Sequence, residues 1–373
     1  MTKPDFYVSA YPENMNNPDD YKSIIGKDDL ILVTGAGGFI GCAVIRQLVS
    51  LGYRRIRGFV RSSRSAQKLR SLANDAKGIA TVEVMEGNLL SQGDCTRAAQ
   101  DVKVVLHLAA GRGEKSFPDA VLNSVVTTRN LIEALLSNGN LRRFVSVSSF
   151  AVYSGSKQVR IGQRVLNESW PVEPNPELRG EAYTFAKVKQ DEIVAEYGST
   201  ANLPYVIVRP GHVYGRGNEA ISARVGVGTF GIFLHLGGPN RIPFTYVENC
   251  ADAIIRAGLT PGIDTEVFNV VDDDLPTSRQ FLHLYKKNVK HFRSIYLPHM
   301  MSYLLCGLWE RFSQRSQAQI PMVFNLRRWR AFWARTQYSN QKAKERLGWT
   351  PRVSMSDGLN QYFEACRERG ANA

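Results

Sequence analysis

Residues 30–41 read LILVTGAGGFIG. A run of β-prone apolar residues enters a turn holding Gly35, Gly38 and Gly41, and an apolar-periodic stretch begins at Phe39. Glycines at these positions let the backbone turn tightly and approach a pyrophosphate, which then sits over the unpaired amides at the positive end of the following helix. The spacing alone is a weak signal. The strand before it and the helix after it give it meaning.

Outward from that turn come further apolar runs: IRGFV (56–60), VEVMEG (82–87), VVLHLAA (104–110), RFVSVSS (143–149) and YVIVRP (205–210). Periodic helical stretches separate them, notably residues 118–138 and 181–198, the latter ending at Gly198, which the pattern reads as a C-cap. Short buried strands alternating with helices predict an α/β fold, a Rossmann-type doubly wound parallel sheet covered on both faces. The expected organisation is an N-terminal extension over residues 1–28 and a Rossmann domain binding NAD(P) over 29–215. Residues 216–373 are then mainly a smaller, discontinuous substrate region, with 244–275 returning to the main fold.

A chain of 373 residues can bury a substantial core. No uninterrupted apolar run reaches about 18 residues, which argues against an ordinary transmembrane helix. The first residues show no basic start followed by an apolar core, so no secretory signal is read there. Five scattered cysteines with no Cys-x-x-Cys pair argue against a disulfide framework and a zinc site, and a reducing cytoplasm is expected. The formal charge of +13 gathers partly in residues 54–64 and 327–335 without any nucleic-acid-binding pattern, so no nucleic-acid partner and no metal are expected.

The second predicted strand ends at Arg61, followed by Ser62, Ser63 and Arg64. An acid at this place would bond ribose hydroxyls, whereas a guanidinium suits a 2′-phosphate, so NADP is favoured, with NAD as the alternative. Tyr183 and Lys187 lie four apart, on one face of a helix. A phenol is a poor acid or base near neutrality unless a cation stabilises its phenolate, and Lys187 is placed to be that cation. Tyr183 would then exchange a proton with a substrate hydroxyl or carbonyl. Ser149, at the end of the run 143–149, would bring a hydroxyl donor to the same oxygen.

Together the stretches TGAGGFIG, HLAA, NSVVTTRNLIEA, VSVSSFAVY, YTFAK, RPGHVYGRG and LGWTP resemble, in order and over residues 29–365, the signature set of extended short-chain dehydrogenases/reductases. The resemblance implies catalytic roles for Ser149, Tyr183 and Lys187, and Asn123 resembles the helix asparagine that helps order the site. It also implies cofactor contacts from Gly35, Gly38, Phe39, Ile40, Gly41, Arg61, Asn88, Leu89, Ala109, Ala110, Tyr183 and Lys187, and from the turn from Pro210 to Val213. Asn88 stands where the family usually carries an aspartate near the adenine. A homodimer through the helices at 122–136 and 181–196 is a further implication.

Within that family, FTYVENCADAI and the stretch from Pro298 are similar to the branch of 3β-hydroxysteroid dehydrogenases and sterol-4-carboxylate 3-dehydrogenases. The expected function is NAD(P)-dependent hydride transfer with an alcohol/ketone substrate, steroid-like or isoprenoid-like. A nucleotide-sugar epimerase with tightly bound NAD is one alternative, and a non-catalytic dinucleotide-binding regulatory protein is another. Ser149-Phe150-Ala151 lacks the Asp-Glu pair of 4,6-dehydratases, which disfavours dehydration. Residues 298–335 combine apolar and aromatic residues with arginines, which suits either a buried substrate-region helix or peripheral membrane contact.

Overall fold

Seven strands form one all-parallel sheet: β1 (Leu30–Thr34), β2 (Arg55–Val60), β3 (Thr81–Glu86), β4 (Val102–His107), β5 (Arg143–Val147), β6 (Tyr205–Pro210) and β7 (Val267–Val270). Their spatial order is β3-β2-β1-β4-β5-β6-β7. The chain therefore reverses its direction of travel between β1 and β4, and a crevice opens there at the carboxyl ends of the strands. The structure, a computed structural model, describes residues 23–111, 116–155, 165–218, 220–229, 231–316 and 324–371. Most of the expected N-terminal extension lies outside the described residues.

Strand alternation divides the core between the two faces of the sheet. Ile31 and Val33 of β1 join one hydrophobic cluster while Leu30 and Leu32 join the other, and all four are buried. Val104 and Leu106 of β4 follow the first face and Val105 the second. Each fully buried side chain of this kind contributes about 1.5–3 kcal/mol relative to exposure, which is why a continuous apolar run is stable only as an inner strand.

The covering helices are α1 (Phe39–Ser50), α2 (Ser63–Asp75), α3 (Gln92–Ala99), α4 (Thr127–Ser137), α5 (Ala182–Ala201) and α6 (Val247–Leu259). Helix α4 is entered through a short helix, Phe117–Ala120, and a wide π-helical turn, Val121–Val126. Gly198 does not end α5. It lies within the helix, where a Cβ would collide with the Tyr205 ring, and Asn202 takes the left-handed cap position with φ of 54°. The glycine answers to close packing against the sheet, and the asparagine to the backbone turn.

The strand Phe244–Tyr246 leads into α6, which is buried along most of its length, and then to β7. The main fold also takes in α10 (Gln341–Leu347) and α11 (Met355–Ala371), whose Leu347, Tyr362 and Phe363 enter the first cluster with Trp349. Between these pieces sit α7 (Ser278–Asn288), α8 (His299–Arg315) and α9 (Leu326–Trp333), together with a small sheet of Gly226–Thr229, Ile232–His235 and Ser294–Tyr296. Their own core is small, built on Leu236, Cys306, Trp329 and Trp333.

Candidate active site

A cleft of about 700 Å³ opens over the carboxyl ends of β1 and β4. Its floor is the glycine turn. Gly35 has φ of +68°, and a Cβ on it would press to 3.1 Å from the Ala109 amide nitrogen. At Gly41 a Cβ would run into the Gly35 carbonyl oxygen. Gly38 is the N-cap of α1, with no side chain capping the helix and no acid in its first turn. The first-turn amides thus face the cleft with nothing negative beside them, a fit for the diphosphate of a dinucleotide.

The catalytic candidates meet at the other end of the floor. Tyr183 stands in the first turn of α5, and Lys187 follows one turn later, 4% exposed. The Lys187 ammonium donates to the Val147 carbonyl oxygen at 2.7 Å and to Gln190 Oε1 at 2.8 Å. Val147 closes β5 and Ser149 follows two residues later, so one strand end both anchors the lysine and carries the serine. The Ser149 hydroxyl oxygen accepts from the Ala151 amide at 3.1 Å, which fixes its rotamer beside the cleft.

Behind Lys187 runs a buried chain of polar groups. Gln190 Nε2 donates to Thr128 Oγ1 at 2.8 Å, and Thr128 donates its own proton to the Ser124 carbonyl oxygen at 2.6 Å. With that hydroxyl proton committed, the 2.9 Å contact from His107 Nε2 to Thr128 Oγ1 has the imidazole as donor. His107 Nδ1 then accepts from the Thr34 hydroxyl at 2.8 Å, while Thr34 Oγ1 accepts from the Ala109 amide at 3.1 Å. Burial, and secondarily the charge of Lys187, lowers the His107 pKa to about 3. The ring is a neutral spacer that ties β1, β4, α4 and α5 together under the site.

On the ribose side, Arg61 follows β2 and lines the cleft with Ser62 and Ser65. Its Nη1 donates to Asn123 Oδ1 at 2.7 Å, and Asn123 Nδ2 donates to the Asp119 carbonyl oxygen at 3.0 Å. The π-helical turn therefore aims Asn123 at Arg61, and its recorded hydrogen bonds do not include Lys187 or Tyr183. Asn88 lines the cleft beside Leu89, its backbone N–H donating to Asp94 Oδ2 at 2.7 Å. A carboxylate is thus present next to the position where the sequence shows an amide.

Every residue singled out from sequence lines this one cleft: Gly35, Gly38, Phe39, Ile40, Gly41, Arg61, Asn88, Leu89, Ala109, Ala110, Asn123, Ser149, Tyr183, Lys187, Pro210 and Val213. The opposite wall, made by Ser222, Ala223, Arg224 and Phe332, comes from the expected substrate region, in which the sequence singled out no individual cleft residue. Phe332 comes from α9, and the guanidinium carbons of Arg224, Arg179 and Arg328 lie 5.1, 5.7 and 5.7 Å from its ring centroid. Glu181, the N-cap residue of α5, pairs with Arg179 at 2.8 Å and with Arg328 at 3.3 Å, while Arg327 reaches the buried Glu173 at 2.7 Å. Asn325 Nδ2 adds a bond to the Arg179 carbonyl oxygen at 3.0 Å. Arg328 thus ties α9 to the start of α5 and Arg327 ties it to Glu173, with Trp329 and Trp333 buried beneath it.

A family model described as the NAD dependent epimerase/dehydratase family matches residues 31–270. The chain belongs to that family. Among its relatives is the GDP-mannose 3,5-epimerase of Arabidopsis thaliana, 24% identical over 89% of this chain and 81% of that protein. Another is the decarboxylating sterol-4-alpha-carboxylate 3-dehydrogenase of Dictyostelium discoideum, 22% identical over 89% of this chain and 99% of that protein. The fold is shared with the UDP-glucuronic acid 4-epimerase of Bacillus cereus in complex with UDP-glucuronic acid and NAD. The TM-score is 0.68 at 22% identity, covering 91% of this chain and 99% of that one. The protein is therefore an NAD-dependent enzyme of the extended short-chain dehydrogenase/reductase type, and hydride transfer is its chemistry.

Proposed function

We propose that this family member is a net oxidoreductase, preferring NADP(H), that interconverts an alcohol and a ketone on a largely apolar, steroid-like or isoprenoid-like substrate. The observation that carries the reading is the convergence of Tyr183, Lys187 and Ser149 with the glycine turn on one cleft whose far wall is Phe332. When bound, the nicotinamide supplies hydride exchange at the substrate carbon. Tyr183 gives or takes the proton on the substrate oxygen, Ser149 hydrogen-bonds the same oxygen, and the buried Lys187 ammonium favours the phenolate.

The substrate end supports an apolar partner over a nucleotide diphosphate. Arg224, the guanidinium on that wall, already donates to the Ala331 carbonyl oxygen at 2.9 Å and to the Tyr338 hydroxyl at 3.4 Å, with Phe332 against its face. A diphosphate would have to compete for it. For the cofactor, Arg61 beside Ser62 and Ser65 offers charge-assisted bonds to a 2′-phosphate, with Asn123 holding the guanidinium in place. The homodimer belongs to this reading as well: α4 and α5 lie side by side, joined by Tyr197 donating to Glu133 at 2.7 Å.

The test is net turnover. Purified protein is freed of any retained dinucleotide and given NADPH or NADH with a panel of ketones that includes sterol ketones. The expected result is stoichiometric consumption of NADPH, faster than of NADH, with a sterol or prenyl ketone reduced. Tightly retained NAD⁺ and interconversion of nucleotide sugars without net redox change would replace this reading with that of an epimerase.

A further inference from the structure

Helix α8 is amphipathic the wrong way round for a helix resting on a protein. Its inward residues include Ser302, Cys306 and Ser313, while Met300, Leu304, Leu308 and Phe312, spaced four apart, are 80, 61, 61 and 59% exposed. Met301, Leu305 and Trp309 widen the stripe, and Ile295 and Tyr296 extend it on the strand that leads into the helix. An exposed apolar face this continuous marks a surface that binds something.

The charge around it indicates what. Residues 276–335 contain eleven Lys and Arg against a single acid, Glu310, so this sixth of the chain carries ten of its thirteen net positive charges. No acidic residue occurs from 275 to 309, and Lys287, Lys290, Arg293, Arg311 and Arg315 are exposed. Glu310 is turned away, its carboxylate accepting from the Leu326 amide at 3.0 Å as it joins α8 to α9. A second copy of the chain would bring the same positive field and be repelled, whereas an anionic lipid surface matches both the apolar stripe and its basic rim.

We propose that α8 is an interfacial helix that seats the enzyme on anionic bilayers, with its Met300–Leu304–Leu308–Phe312 stripe among the acyl chains and the flanking lysines and arginines at the headgroups. The sequence pattern of 298–335 joins two different helices, and only one of them is free to do this. Helix α9 has Arg327 and Arg328 in ion pairs, Arg330 on the Tyr303 hydroxyl, and its tryptophans buried. It packs on α8 through Trp329 Nε1 donating to Ser302 Oγ at 3.0 Å and Arg330 donating to the Tyr303 hydroxyl at 2.8 Å. The wall that carries Phe332 is thereby one helix layer from the bilayer, and neighbouring helix axes lie about 8–10 Å apart. The docking itself does not depend on the catalytic reading.

The test uses the full chain and sucrose-loaded vesicles of phosphatidylcholine, with or without about 30% phosphatidylserine. The expected result is partitioning at least about tenfold stronger on the anionic vesicles, with quenching of Trp309 by brominated acyl chains that is lost in Trp309→Phe. The paired change Leu304→Glu and Leu308→Glu, made at outward positions, is expected to abolish partitioning while dinucleotide affinity is kept as the measure of folding. No partitioning by the unaltered protein overturns the proposal. So does partitioning that survives the paired change, or a paired change whose effect is to dissociate an oligomer formed without lipid.

Discussion

β1 and α8 are both apolar in sequence, and the molecule treats them oppositely. Strand β1 has β2 and β4 on its edges and a helix layer on each face, and all five of its residues are buried. Helix α8 rests chiefly on α9, and its apolar stripe faces outward. Apolar content therefore predicts that a segment needs covering, and the neighbours determine whether this protein provides the cover. The same contrast runs through the cleft: the sheet half holds the glycine turn and Lys187 on buried hydrogen bonds, while the inserted region supplies Phe332 and an exposed apolar stripe on a small core.

The largest expected effect separates the two halves. Tyr183→Phe removes the proton donor without removing the ring, and kcat should fall by about 10²- to 10⁴-fold with dinucleotide affinity and vesicle partitioning unchanged. Steady-state turnover beside fluorescence titration measures this, and undiminished turnover would end the proposed mechanism. Next comes Arg61→Ala. Losing charge-assisted bonds of about 1.5–3 kcal/mol should weaken NADPH by about 10- to 100-fold and leave NADH nearly as before. Equal losses for the two cofactors would mean that Arg61 serves the loop and Asn123, not the phosphate.

Much of the sheet half was legible in the sequence because its physics is local and periodic. Strand runs, the glycine turn and the one-turn spacing of Tyr183 and Lys187 each follow from backbone geometry, and the residues they nominate share one cleft. The opposite wall was legible only as a region, not by its residues. Phe332 reaches the cleft because Arg327 and Arg328 pair with Glu173 and Glu181, more than a hundred residues away in sequence, and no periodicity reports such pairings. The arginines alternating with aromatics signalled something real, but Arg327 and Arg328 pair with acids of this same chain and Arg330 with the Tyr303 hydroxyl. Gly198 and Asn202 show a smaller version of the problem, since a glycine near a helix end reads as a cap whether it turns the chain or admits a neighbouring ring.

A moderate effect is expected behind the catalytic lysine. Gln190→Leu keeps the helix but removes an acceptor from Lys187 and a donor from Thr128. Lys187 keeps its bond to the Val147 carbonyl but loses the one to Gln190. We expect kcat to fall by about tenfold and the pH profile of kcat to shift, with KM little altered, because the change reaches the substrate only through the placement of Lys187. Gln190→Glu restores an acceptor and should recover part of the rate. A fall in Tm with an unmoved pH profile would reduce Gln190 to a packing residue.

The smallest effect tests whether the sheet half is also where acid first acts. His107 is held neutral under the site, its pKa lowered to about 3 by burial and by Lys187. In the unfolded chain the same imidazole takes up a proton near pH 6.5. The unfolded state thus binds the extra proton as pH falls from 6.5 towards 3, and stability is lost through that window, by at most about 1.4 kcal/mol per pH unit for one group. His107→Gln, which cannot titrate, should flatten the pH dependence of the urea midpoint by up to that slope below pH 6 while costing some stability at pH 7, since Thr34 and Thr128 lose an ideal partner. Parallel curves for the two proteins would mean that the ring takes up its proton in the fold as readily as in the unfolded chain, donating from both nitrogens.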